Sequence, residues 1–481
     1  MATIDPIIEQ LKCAVGQDYV VHMPEDLIVY EYDGSVDKAT PRAVVLPANT
    51  QQVSEVMKIA WSHGEPIVAR GAGTGLSGGA ITEVGGISLS LTRMNRILEV
   101  DRANRIAVIE PGVVNLHLSE YVAQYGLYYA PDPSSQRVCT IGGNVAENSG
   151  GPHCLAYGVT TNHVLGMEVV MADGSVEWLG GRTRELPGYD LRGIMIGSEG
   201  TLGIVTKVVV RLLRQPESVK TLLAVFKELD QASGAVSGII AAGIVPAAIE
   251  MMDDLCIKAA EEAVGAGYPK DAGAVLLVEV DGVDESVMEE VAEIESVCNE
   301  FDPMEIRTAT DPAEREKLWS GRKGVLGALG RLAPNYYLVD GTVPRTNLVE
   351  VLSKIRQLSI DSGYPIANLL HAGDGNLHPS VLFDERKPGD VENILKIGEE
   401  ILKICVEAGG VLSGEHGIGL EKQEYMPFMF NDDDMEAMAL LKPAFNTRDM
   451  LNPAKIFPTG ASCNEIASNA IITRMGADAW I

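Results

Sequence analysis

The chain has 481 residues, 46% of them hydrophobic and 22% charged, a globular composition too long for one ordinary core, so two or three lobes are expected. Lysine and arginine number 38 against 67 aspartates and glutamates, for a formal net charge of −29. So acidic a surface repels phosphate backbones and anionic head groups, which argues against nucleic acid as a partner.

No run of about 18 apolar residues occurs, so no membrane-spanning helix is expected. The first residues, MATIDPIIEQLKCAVGQ, carry acids rather than a basic stretch and an apolar core of signal-peptide type. The seven cysteines (Cys13, Cys139, Cys154, Cys256, Cys298, Cys405, Cys463) are widely spaced and include no CxxC. That pattern argues against an iron–sulfur cluster, a zinc knuckle or a disulfide framework, and points to a reducing cytoplasm.

In chain order, residues 43–47 read as a strand, and Thr50 is expected to cap a helix with apolar positions Val53, Val56, Met57 and Ala60. A second strand at 66–69 runs into the glycine-rich RGAGTGLSGG. Short β segments are expected at 87–91, 97–100 and 106–109, and a helix over 115–125 ending at Gly126. Residues 166–178 read as a hairpin turning at Asp173-Gly174, and 203–206 lead into the apolar 208–210. Beyond Pro216, strands at 222–226 and 274–280, a helix at 229–242 and an acidic helix at 284–299 suggest an α+β lobe. Its helices are expected on one side of an antiparallel sheet. A long helix over 391–408 stops at Gly409-Gly410. These features divide the chain at 1–215, 216–425 and a mostly helical 426–481.

Three glycine-rich loops stand out in the first part. RGAGTGLSGG (70–79) lets successive N–H groups face one concavity, which suits phosphate oxygens. Gly73, Gly75 and Gly78 match GxGxxG, yet the segment after Gly85-Gly86 reads as strand, so a Rossmann unit is not expected. The absence of Gly-Lys-Ser/Thr excludes a P-loop. PDPSSQRVCTIGGNVAENSGG (131–151) brings small residues close to a flat ligand, with Asn144 expected to open a short helix. GSEGTLGIVT (197–206) is again small. Together the three imply a large, extended, phosphate-bearing cofactor.

Two histidine loops carry the second part. In HAGDGNLH (371–378), Asp374-Gly375 suits a two-residue type I′ turn, which would set His371 directly opposite His378. Opposed residues share a face with Cβ atoms roughly 4.5–5.5 Å apart. Two imidazoles so placed can share one metal ion, at about 2.0–2.1 Å for zinc. GEHGIG (414–419) adds the carboxylate Glu415 and the imidazole His416.

These five loops, in this order over roughly residues 33–458, resemble the flavin-linked 2-hydroxyacid dehydrogenases, a family of glycolate- and D-lactate-oxidising flavoproteins. The resemblance implies a two-lobed α+β flavin fold of vanillyl-alcohol-oxidase type, with residues 1–215 binding FAD and 216–425 forming a substrate and metal cap that carries an antiparallel sheet. Residues 426–481 would return to the FAD domain. It further implies pyrophosphate contacts from Gly71, Gly73, Thr74, Gly75 and Leu76. Flavin and ribityl contacts would come from Pro131, Ser134, Ser135, Thr140, Gly143 and Asn144, and adenine-side contacts from near Glu199 and Ile204. No histidine lies between His63 and His117, so the FAD is expected to be non-covalent, with Cys139 the nearest alternative attachment.

Carried over in the same way, His371, His378 and Glu415 would hold a divalent metal, His416 would be the catalytic base, and Arg322 would hold the substrate carboxylate. Zinc, ferrous iron and manganese all accept this ligand set. The 2-hydroxyglutarate members carry a lysine before an aspartate where this chain reads Leu338-Val339-Asp340, which favours a small monoacid. The expected reaction is oxidation of a D-lactate- or glycolate-type acid to the 2-oxoacid by hydride transfer to flavin N5. A chain without its own cluster would hand the electrons to an electron-transfer flavoprotein, an iron–sulfur subunit or a quinone-linked partner, in an oligomer or multi-subunit complex. It would thus be membrane-associated only through that partner. Two other readings of the same loops are a non-catalytic flavin-binding subunit and a flavin-dependent alkyl-transfer synthase.

Overall fold

A computed structural model describes residues 5–184 and 187–458; Cys463 and the rest of the expected 426–481 tail beyond 458 lie outside the described residues. The described residues form two compact units, one within 5–149, 159–215 and 415–458, the other of 150–158 and 216–414. Among the described residues no helix is long and apolar enough to cross a membrane.

The first unit holds two sheets. In one, the strands run in the order Val20–Val21, Ala43–Val45, Ile87–Ser90, Ile67–Arg70, with the last three mutually parallel. Helix Thr50–His63 crosses between two of them and buries Val53, Val56, Met57 and Ala60, the stripe that its sequence spacing requires. Its cap is Asn49 rather than Thr50: Asn49 comes one residue earlier, is an equally good acceptor, and takes the Gln52 N–H at 3.0 Å. The other sheet is antiparallel, in the order Ile97–Asp101, Ile106–Ile109, Ile204–Arg211, Val164–Val170, Val176–Gly180. Its last hairpin turns through Asp173 and Gly174, where glycine takes φ +85°. Helices Asn115–Val122 and Ile141–Glu147 pack against it. The second helix is opened by Thr140, whose hydroxyl accepts from Gly143 N; Asn144, expected at the start, lies a turn inside and is buried.

The second unit is an eight-stranded antiparallel sheet. Seven strands run in the order Glu305–Thr308, Ser218–Phe226, Ala274–Gly282, Ala248–Asp253, Ile366–His371, Asn376–Phe383, Asn335–Leu338, and Gly341–Thr342 also pairs with Asn376–Phe383. Helices cover both faces rather than one. Cys256 and Ile257 of helix Asp254–Ala263 and Val325 of helix Pro312–Leu329 pack with Met252, Leu277 and Leu369. On the opposite face, Ser233 of helix Leu229–Ala241 touches Met251. The physical reason is legible in AVLLVEV: a near-continuous apolar run marks a strand buried on both sides, whereas one-sided burial demands alternation.

The histidine hairpin departs from the expected register. Its turn spans residues 372–375, so His371 faces Asn376 and His378 faces Leu369. Asp374 does not take positive φ; only Gly375 does, at +83°, and its N–H closes a wider turn on His371 O. A type I′ turn needs positive φ at both central residues, and one glycine supplies one. Because the register moved by two, and side chains alternate with period two, both histidines still share one face.

Candidate active site

The glycine loops fall in the first unit, apart from residues 150–151 at the end of the second loop, which belong to the other unit. Residues 71–76 leave strand Ile67–Arg70 as a half-buried turn-rich segment. A side chain at Gly71 would collide with the Thr140 hydroxyl, so the first loop lies directly against the cap of the second. Gly73 takes φ +72° and leaves room for the Arg70 guanidinium, while the space at Gly75 is open. In the second loop, Asn115 Nδ2 holds Pro131 O at 3.0 Å, and Ser135 O accepts from Val138 N and Cys139 N at 2.8 Å each. Ser134 lies in the same turn, and Gly143 N is the donor bonded to Thr140. These backbones are thus fixed close together, an arrangement that suits an extended phosphate-bearing cofactor. Cys139 is buried, and burial pushes its thiol pKa up, which works against covalent attachment at that position.

The third loop is tied to the 414–419 segment. Glu199, at φ +52°, accepts from Ile418 N and Gly419 N at 2.7 and 2.8 Å. Gly417 has φ +87°, and a side chain there would run into the carboxylates of Glu147 and Glu199. Burial, and for Glu147 the neighbouring Glu199 charge, raise both carboxyl pKa values. The Glu199 side chain therefore braces the loop that carries His416; Ile204 opens its strand with its side chain in the core. Glu415 and His416, 4.0 Å apart at Oε1 and Nε2, are the first residues of this unit after the chain leaves the other.

The second unit brings His371, His378 and Arg322 together. The two imidazoles are buried, with ring centroids 5.1 Å apart and nearly perpendicular planes. Opposite His371 on the neighbouring strand is Glu250, fully buried, whose Oε1 and Oε2 lie 2.8 and 3.1 Å from His371 Nδ1. Arg322, from helix Pro312–Leu329, is buried and its Nη2 is paired with Glu250 Oε2. Burial alone would raise the Glu250 pKa, but Arg322 and His371 bring it below the ordinary glutamate value. His378 Nδ1 lies 4.0 Å from Asp340 Oδ1, and the other oxygen of Asp340 accepts from Ser413 Oγ (2.6 Å) and Gly414 N (3.0 Å). The chain thus leaves this unit pinned to the residue beside His378.

Sequence reasoning missed Glu250. Its strand, AIEMMD, was not recognised, although an acid inside a short apolar run bounded by turns is the available signal. It also missed Glu279, which accepts from Thr221, Arg315 and Trp319 and stands 3.2 Å from His153 Nε2.

The chain is similar to known proteins over most of its length. Residues 41–180 match the FAD binding domain model and 215–456 the model for FAD linked oxidases, C-terminal domain. Among solved structures, p-cresol methylhydroxylase aligns with a TM-score of 0.79 at 17% identity, covering 95% of this chain and 97% of that one. The 4-ethylphenol oxidase of Gulosibacter chungangensis gives 0.78 at 19%, covering 95% and 99%. Alkyldihydroxyacetonephosphate synthase gives 0.73 at 18%, covering 93% and 84%, a likeness of fold alone. The architecture is the α+β flavin-binding fold of vanillyl-alcohol-oxidase type.

The glycolate oxidase subunit GlcD of Escherichia coli is 45% identical over 93% of this chain and 90% of its own length. That of Bacillus subtilis is 41% identical, over 95% and 98%. The D-lactate dehydrogenase of Anaerostipes hadrus is 33% identical, over 87% and 90%. The chain belongs to the FAD-linked oxidase family and is an FAD-linked oxidoreductase of the glycolate oxidase subunit and D-lactate dehydrogenase type.

Proposed function

We propose that this protein oxidises a small 2-hydroxyacid, of glycolate or D-lactate type, to the 2-oxoacid, using FAD and a divalent metal ion. The observation that carries the metal is the His371–His378 pair. Two buried imidazoles share one face, and a carboxylate beside His371 Nδ1 leaves Nε2 as the nitrogen with a lone pair to offer. Glu415 supplies the third ligand. It directly follows Gly414, whose amide is held by Asp340 near His378, and consecutive Cα atoms are about 3.8 Å apart. Gly71, Gly73, Thr74, Gly75 and Leu76 hold the FAD pyrophosphate; Pro131, Ser134, Ser135, Thr140, Gly143 and Asn144 hold the flavin and ribityl, and the backbone near Glu199 and Ile204 the adenine side.

When bound, the metal ion polarises the substrate hydroxyl and FAD accepts the electron pair that leaves with the α-hydrogen. The chain's own residues do the rest. Arg322 takes the substrate carboxylate with the guanidinium hydrogens that Glu250 does not use, and its planar fork suits that group. His416 removes the hydroxyl proton on an imidazole nitrogen, since an imidazole titrates near neutral pH. Leu338 offers no charge for a second carboxylate, which favours a monoacid. The electrons pass to a partner protein, as the subunit names of the relatives suggest.

His416→Ala tests the base. The variant is expected to keep FAD and metal while flavin reduction by glycolate or D-lactate slows about 10²–10⁴-fold in anaerobic stopped flow. Reduction at the wild-type rate removes His416 from that role.

A further inference from the structure

We infer that Glu250 is a positioning residue that fixes the tautomer of His371, so that Nε2 presents its lone pair to the metal, and that Arg322 fixes Glu250 in turn. The inference rests on the metal reading above and adds to it a residue outside the ligand set and the directional roles of its two partners.

The geometry leaves one consistent assignment of hydrogens. His371 Nδ1 lies 2.8 Å from the Glu250 carboxylate and 3.4 Å from Arg322 Nη2. A carboxylate only accepts and a guanidinium only donates, so Nδ1 either gives a proton to Glu250 or accepts one from Arg322. The shorter, charge-assisted contact wins, and Nδ1 carries the hydrogen. In the neutral ring, Nε2 is then the unprotonated nitrogen. Arg322 Nη2 lies on the other Glu250 oxygen, so the carboxylate is held between the two and cannot turn away. All three side chains are buried, and Glu250 and His371 sit directly opposite on adjacent strands, where neither backbone can shift without breaking the sheet. The guanidinium and carboxylate charges offset one another beside the imidazole, which must be neutral to bind a metal.

Substitution by glutamine gives the sharpest test, because an amide has one accepting and one donating end. Arg322 only donates and therefore claims the amide oxygen of Glu250→Gln. The NH₂ then faces His371 Nδ1, which must accept, and the ring hydrogen moves to Nε2, where it blocks the metal. The double variant Glu250→Gln/Arg322→Met removes that orienting donor, so the amide can rotate its oxygen to Nδ1–H and metal binding returns.

The experiment titrates chelator-treated, FAD-loaded protein with Co²⁺ alone, following visible ligand-field absorption and FAD content. Glu250→Gln is expected to bind Co²⁺ about 10–100-fold more weakly than wild type with FAD retained, and the double variant to recover most of that loss. A Glu250→Gln protein that binds as tightly as wild type overturns the inference. So does a double variant that stays as weak as the single one, since Glu250 would then be no more than a structural ion-pair partner. If Glu250→Gln alone does not fold, the double variant is compared with Glu250→Leu/Arg322→Met, which offers Nδ1–H no acceptor: weaker Co²⁺ binding by the leucine form with FAD retained supports the tautomer role, and equal binding overturns it. A wild type that takes up no Co²⁺ fails the metal reading, and the inference falls with it, whereas a wild type that binds Co²⁺ keeps the two questions separate.

Discussion

An acid on the inner face of a buried strand must be compensated, and three in the second unit are each satisfied differently. Glu250 is held by a histidine and an arginine. Asp253 accepts from the amides of Cys256 and Asn368, yet burial still pushes its pKa up to about 6. Glu279 gathers Thr221, His153, Arg315 and Trp319; burial opposes its charge, but His153 and Arg315 bring it down to about 2 from an ordinary 4.5. A depressed acid stabilises the fold above its unfolded pKa and loses that contribution as pH falls through its folded value. Glu279 therefore makes the protein lose stability from about pH 4.5 down towards 2. Glu279→Gln is expected to be less stable at neutral pH and to show a flatter acid limb in urea unfolding across that window. Curves parallel to wild type would show that the Glu279 charge is not what its partners hold. Such residues were the hardest to see in the sequence. His371 and His378 advertise themselves among few histidines, but one glutamate among 67 acids gains meaning only when its neighbours across the sheet are known.

At the scale of elements, the sequence carries faces better than registers. Period-two alternation put both histidines on one side, and a slip of two residues preserves that side; what sets the register is turn geometry, which Asp374-Gly375 left open between two turn lengths. Helix spacing gave Thr50–His63 and Leu229–Ala241 closely, while caps moved by a residue or more because Asn49 and Thr140 compete with adjacent polar groups. Strand Ala248–Asp253 was missed because a six-residue apolar run without clear alternation has no distinctive period. Gly375 gives this scale its prediction. Its φ is +83°, and an added Cβ would run into Val343 O. Gly375→Ala is expected to destabilise the second unit by about 1–3 kcal/mol in chemical denaturation and to lower metal content, because the turn that ends at the histidines must shift. Unchanged stability and metal content would mean that the hairpin tolerates another turn.

At the scale of the molecule, the sequence is cut in more places than composition suggests. Residues 150–158, embedded in glycine-loop sequence, belong to the second unit, where Tyr157 donates to Asp281 and Leu155 lies over Gly373. Local patterning carries no trace of this, since both partners are more than 100 residues away. The proposed ligands are divided at the Gly414–Glu415 peptide bond, two imidazoles before it and the carboxylate and base after it. A net charge of −29 repels a hydroxyacid anion, so in the proposed function the attraction is local, from Arg322 and the proposed divalent ion. Metal-dependent oxidation is the claim on which the rest stands, and anaerobic addition of glycolate or D-lactate to the FAD-loaded protein tests it most directly. One of these acids is predicted to bleach the flavin's visible band when a divalent metal is present, to fail after chelation, and to succeed again when the metal is restored. Bleaching that is equally fast in the chelated protein, or no bleaching by either acid with metal bound, would contradict the account.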